Sequence, residues 1–202
     1  MKVLLINGSP HKEGCTFTAL SEIKDQLEKE GIDSEIFWIG NKPVRGCIAC
    51  GKCGELEKCA FDDDVANEII DKILESDGLI IGSPVYYAGP NGALCAILDR
   101  VFYSASSKFS FKPGASVVSC RRGGSTASFD RLNKYFTISN MPLVASKYWN
   151  MVHGNSPEEV KQDLEGLHTM RTLARNMAWL LKSIEGKDLP EQEEKVFTNF
   201  IR

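Results

Sequence analysis

No apolar run in these 202 residues approaches membrane-spanning length, and no charged leader with a small-residue cleavage site precedes the first strand pattern. The expectation is a cytoplasmic protein with no membrane partner. An excess of one charge is also missing: 24 Lys and Arg against 27 Asp and Glu leave −3, too weak a field to favour nucleic acid. The composition, 43% hydrophobic and 25% charged, carries no signature of disorder. No linker-like stretch divides the chain, so one domain over residues 1–186 and a charged tail over 187–202 are predicted. Two phosphate signatures are absent as well. The first loop has no Lys after its glycine, which argues against a nucleoside triphosphate, and no Gly-x-Gly-x2-Gly, which argues against a dinucleotide pyrophosphate.

What is present begins at Val3. Val3-Leu4-Leu5-Ile6 is a continuous apolar run, the pattern of a strand buried on both faces of a parallel sheet. Asn7, Gly8, Ser9 and Pro10 then turn the chain, Gly14 lets backbone come close to a ligand, and Thr16 opens a helix running to Glu30. The first N–H groups of a helix lack intrahelical partners and sit at its positive end. A monophosphate fits there, with Ser9, Thr16 and Thr18 as hydroxyl donors.

Strands and helices alternate along the rest of the chain. Strands are predicted at Ser34 to Ile39, Gly78 to Gly82 and Ala115 to Ser119, with a fifth starting at Leu143-Val144. Helices are predicted through Val65 to Leu74, Asn91 to Tyr103 and Ala127 to Thr137. A last long helix follows the capping box Ser156-Pro157-Glu158-Glu159, in which Glu159 reaches back to the N–H of Ser156. Such alternation predicts an α/β fold, a doubly wound three-layer sandwich on a five-stranded parallel sheet, for which the order 2-1-3-4-5 is the default. Ligands of such sheets bind at the carboxyl ends of the strands, where strand order reverses. Three loops meet at that edge: Ser9 to Thr16, Ser83 to Asn91, and Arg121 to Ser125.

In the second loop, Pro84 and Gly89 shape the backbone while Val85, Tyr86 and Tyr87 offer apolar surface for a flat ring. In the third, Gly123 and Gly124 allow close backbone approach and Arg121 and Arg122 supply cations. Two of these loops carry a family resemblance. Gly-Ser-Pro-x4-Cys-Thr at 8–16 resembles the FMN-phosphate loop of the NADPH-dependent FMN reductase branch of the flavodoxin-like superfamily. Ser-Pro-Val-Tyr-Tyr-Ala-Gly-Pro-Asn-Gly at 83–92 resembles that family's flavin-ring loop. His11 stands where the family has Arg, and Cys15 where it has Asn, so the backbone donors carry over and those two side-chain roles do not.

The resemblance implies FMN held by Ser9, Pro10, Gly14, Cys15, Thr16 and Thr18 at the phosphate, by Pro84, Val85, Tyr86, Tyr87, Gly89 and Asn91 at the ring, and by Arg121, Gly123 and Gly124 from the third loop. It implies hydride transfer from NAD(P)H to FMN and onward transfer to a quinone, a flavin, a nitro- or azo-compound or a redox protein, and a homodimer or homotetramer. Most of that chemistry belongs to FMN. Tyr87, Arg121 and His153 are the expected ring-edge or substrate contacts, with His153 in a Trp- and Asn-bearing loop after the fifth strand. A non-enzymatic carrier like flavodoxin is the alternative from another class; such carriers are strongly acidic, whereas this chain is at −3.

Of the seven Cys, Cys95 and Cys120 lie in apolar settings as core residues, while Cys47, Cys50, Cys53 and Cys59 crowd into one aperiodic segment. Their spacing, Cys-x2-Cys-x2-Cys-x5-Cys, lets several thiolates converge. The motif resembles that of the iron-sulfur flavoproteins, which pass electrons between a [4Fe-4S] cluster and FMN. Three readings stand side by side: such a cluster, metal-free thiols lining the active-site mouth, or zinc.

Overall fold

The computed structural model describes residues 1–194 together with 196 and 198. Val3 to Ile6 are wholly buried in β1 (Lys2–Asn7), Val3 and Leu5 facing one core and Leu4 and Ile6 the other. A strand covered on both faces has no solvent side to mark with polar residues, hence the unbroken apolar run. Full burial of each such side chain contributes about 1.5–3 kcal/mol. β2 (Asp33–Trp38) pairs with one edge of β1 and β3 (Gly78–Tyr86) with the other, both parallel. Beyond β3 lie β5 (Gly114–Cys120) and β6 (Met151–His153), completing a parallel order β2-β1-β3-β5-β6.

Helices cover both faces. One layer is α1 (Cys15–Lys29), α6 (Pro157–Val160) and α7 (Leu164–Ile184), closing over Val3, Leu5, Ile80 and Val117. The other is α3 (Ala66–Leu74), α4 (Gly92–Ala105) and α5 (Ser125–Ile138), closing over Leu4, Ile6, Leu79 and Val118. α2 (Cys53–Leu56) is a single turn in the cysteine segment. Among the described residues no helix is long and apolar enough to cross a membrane.

The expected three-layer α/β sandwich is present, with corrections. The sheet has six strands, because Gly89–Pro90 forms β4, antiparallel to the end of β3. The fifth parallel strand is Met151–His153, where the sequence pointed to Leu143-Val144. That earlier segment makes one bridge, Leu143 opposite Gly114, and a turn closed by Ser146 Oγ donating to the Tyr148 carbonyl then carries the chain off the edge. The predicted last helix is two helices, since Asp163 starts a new one by accepting from the Gly166 N–H at 2.9 Å. Ser156 does cap α6 by accepting from the Glu159 N–H, but Glu159 reaches the N–H of Asn155, one residue upstream of the expected partner.

Candidate active site

At the carboxyl end of β1 the chain must leave the sheet, and Gly8 makes a close crossing: its N–H donates to the Gly82 carbonyl at 2.9 Å, and a Cβ there would lie 2.7 Å from the same oxygen. Asn7, buried, then organises the loop. Its Nδ2 donates to the Lys12 carbonyl at 3.0 Å and its Oδ1 accepts from the Ser9 N–H at 3.1 Å. Ser9 Oγ accepts from the His11 N–H, and Trp38, at the end of β2, donates its indole N–H to the Ser9 carbonyl at 2.7 Å. The loop is thereby fixed before any ligand arrives. α1 starts at Cys15 behind Gly14, which caps with no side chain, and its first turn holds no acidic residue. The N–H groups of Gly14, Cys15, Thr16 and Phe17 donate to no acceptor among the described residues. That uncapped positive end suits a monophosphate.

The side chains predicted around it are placed less uniformly. Ser9 and Gly14 line the loop, but the Thr16 hydroxyl is buried 2.8 Å from Ser119 Oγ on β5, and Thr18 donates to the Gly14 carbonyl at 3.2 Å. Cys15 Sγ lies 3.7 Å from the Gly154 carbonyl, and burial pushes its thiol above the ordinary value. Donation to the loop therefore rests on the backbone more than on hydroxyls. Asn7, Trp38 and Ser119 carry the loop's support; the sequence marked Asn7 only as a turn residue and did not single out Trp38 or Ser119.

The segment expected as the second loop is the end of β3 and a hairpin. Val85 and Tyr86 pair with Pro90 and Gly89, and the two residues at the tip, Tyr87 and Ala88, both have positive φ, 49° and 59°. Both central residues of a type I′ turn require φ above zero, which non-glycine residues adopt at a cost of about 1–2 kcal/mol each. Tyr87 is fully exposed at this tip. Asn91 welds the hairpin to the phosphate loop: Nδ2 donates to the Gly8 carbonyl at 2.7 Å, Oδ1 caps α4 at the Ala93 N–H, and its own N–H donates to Ser83 Oγ. The third loop packs on the second. Gly124 has φ of 91°, and a Cβ there would lie 2.6 Å from the Ala88 Cα, so only glycine lets the two loops meet. Arg121 and Arg122 are exposed at this rim, with no ion-pair partner among the described residues. His153 stands opposite Cys120 in the strand register, one residue before Arg121. Its N–H donates to Asp163 Oδ2 at 2.7 Å, and its ring faces a concavity shared with Tyr148 and Trp149. The structure thus brings the three loops together and sets His153 on the adjoining strand end, inside β6, not in a loop after it.

Cys47, Cys50, Cys53 and Cys59 line one concavity together with Arg100, Phe61 and Tyr103. All four thiols are free; Cys47 and Cys50 are exposed and Cys53 and Cys59 half-buried. Gly51 and Ala49, both with positive φ, fold the segment back on itself. The sulfurs are not gathered: among the described residues no three Cys, His, Asp or Glu side chains converge in metal-binding geometry. The donor set, four thiols on one concavity, has the chemistry that a cluster or zinc needs. Cys120 is buried and Cys95 half-buried, and burial raises both thiols.

Among known proteins, the chain is 34% identical over 196 residues to an iron-sulfur flavoprotein of Methanocaldococcus jannaschii, covering 92% of this chain and all of that one. An NADPH azoreductase of a Bacillus species is 31% identical over 172 residues, 83% of this chain and 79% of the other. The crystal structure of RosB with a bound riboflavin-phosphate intermediate superposes with a TM-score of 0.71 at 16% identity, covering all of this chain and 94% of that one, a likeness of fold. The family model for NADPH-dependent FMN reductase matches residues 1–156. That span takes in the phosphate loop, the cysteine segment, the hairpin and the third loop, and the chain belongs to the NADPH-dependent FMN reductase family.

Proposed function

We propose that this flavin oxidoreductase holds FMN at the three-loop edge and a [4Fe-4S] cluster on Cys47, Cys50, Cys53 and Cys59, and passes electrons between them. The observation that carries this reading is the shared concavity of the four cysteines at one end of α4, whose other end is capped by Asn91 of the flavin edge. Asn91 and Arg100 are nine residues apart, roughly 13 Å along a helix axis, so α4 is a rigid spacer between the two sites. FMN supplies two-electron chemistry with nicotinamides and one-electron chemistry with a cluster. The protein's own part is placement. The uncapped start of α1 binds the phosphate, Val85 and the hairpin bound the ring, and Arg121 and Arg122 bring positive charge to the rim where a reduced flavin is anionic.

A second reading is a two-electron NAD(P)H reductase acting on a quinone, flavin, nitro- or azo-compound, with metal-free thiols at the mouth. The ungathered sulfurs and the azoreductase relative favour it. In both readings the chain works as a homodimer or homotetramer, supported by the apolar surface of Tyr103 and Ile138 beside the cysteine concavity.

Visible absorption with iron, sulfide and flavin quantitation on protein purified without oxygen separates them. About four iron and four sulfide per flavin, as a [4Fe-4S] site demands, is the expected result. Flavin without iron would leave the two-electron reductase, and absence of flavin would sink both.

A further inference from the structure

Among the described residues Arg100 heads the largest side chains that are fully buried. It sits on α4 beneath the cysteine concavity and spans the base of the segment above it. Nη1 donates to the Arg45 carbonyl at 3.4 Å, before the first of the four cysteines, and Nη2 to the Phe61 carbonyl at 3.0 Å, after the last. The Asp64 carboxylate, its side chain 8% exposed, pairs with Nη1 and balances the charge. The third nitrogen, Nε, donates toward Cys59 Sγ at 3.2 Å. Asn67 holds the same cysteine by its backbone, accepting from its N–H at 2.9 Å and donating to its carbonyl at 3.0 Å. Cys59 is therefore fixed at nitrogen, oxygen and sulfur, whereas the exposed Cys47 has one hydrogen bond among the described residues, from the Ala49 N–H to its sulfur.

A buried ion pair is an expensive way to fill space, since apolar residues of the same volume do so at equal or lower cost. Closing the loop needs only the Nη groups; the Nε donor on sulfur needs another explanation. We propose that Arg100 is the positioning residue of the cysteine site: it presents Cys59 Sγ as the preset ligand onto which Cys47, Cys50 and Cys53 close, and keeps an N–H donor on that sulfur in the loaded site. A donor to a ligating sulfur stabilises the more negative, reduced form and so raises the reduction potential. This rests on the cluster reading above.

The test compares wild-type protein with Arg100→Lys after anaerobic reconstitution with iron and sulfide, measuring iron, sulfide and FMN per chain and the midpoint potential of the one-electron cluster couple by dithionite titration. Lysine keeps a cation for Asp64 and lacks the fork that reaches Cys59 and both carbonyls. The expected result is wild-type FMN content with either a tenfold loss of cluster loading or, in the fraction that loads, a potential lower by at least a tenfold change in the reduction equilibrium, about 59 mV. A double variant, Arg100→Met with Asp64→Asn, removes both charges at nearly the same volume; it should show the same defect. Loading and potential unchanged in either variant would overturn the role of Arg100, and so would iron and FMN falling together, the mark of a general strut. Wild-type protein that binds FMN and takes up no iron would overturn the cluster reading itself, a failure visible before any variant is compared.

Discussion

At the scale of single residues, the flavin edge depends on side chains that never reach the ligand position. Asn7 is fully buried and satisfies one N–H and one carbonyl of the phosphate loop. Truncating it leaves both backbone groups without partners, at about 1–3 kcal/mol each. Asn7→Ala should therefore weaken FMN binding at least tenfold, about 1.4 kcal/mol, with helical content retained; flavin fluorescence quenching on titration reads this directly, and an unchanged Kd would refute the preformed loop. Much of this loop was legible beforehand, since Gly8, Ser9, Pro10 and Gly14 declare a turn by their own backbone preferences. The Trp38 bond to Ser9 was not, because it joins residues 29 positions apart and no local pattern encodes the partner.

At the scale of elements, α4 and α5 are joined by more than apolar contact. The Tyr135 hydroxyl donates to Asp99 Oδ1 at 2.5 Å, and the Arg131 guanidinium lies 4.6 Å from the centre of the Tyr135 ring. Burial, followed by the Asp99 carboxylate, pushes the Tyr135 phenol far above its ordinary value of 10.0. In the unfolded chain that phenol ionises at its ordinary value while in the folded protein it stays protonated. The folded state then binds more protons, and stability falls as pH rises past 10.0. Tyr135→Phe should cost about 0.5–1.5 kcal/mol at neutral pH and flatten the decline above it. Denaturation midpoints between about pH 9 and 11 would show this; an identical slope in the variant would contradict it. Helix existence was readable from the 3.6-residue spacing of Leu132 and Phe136, but the partner of Tyr135 was set by how two helices cross.

At the scale of the whole molecule, Tyr103 and Ile138 leave apolar surface on the α4–α5 layer, with Ile138 86% exposed. Both border a concavity that also includes Cys47 and Tyr135. If copies of the chain associate through this layer, Ile138→Lys should shift the species seen by light scattering toward monomer and leave FMN content unchanged. A variant with wild-type mass would place the contact elsewhere.

The sequence by itself determined the layered α/β fold and the loops at the carboxyl ends of its strands. Those follow from local physics: a run such as Val3 to Ile6 is stable only with both faces covered, and glycine and proline fix where the chain turns. The sheet's last strand was decided by tertiary structure, because Leu143-Val144 and Met151-Val152 are equally apolar and only the neighbouring edge of β5 selects between them. The same holds for Arg100. Its partners lie 36 to 55 residues away, so a charge in the middle of an apolar helix reads as an anomaly until the fold brings Cys59, Asp64 and Arg45 around it.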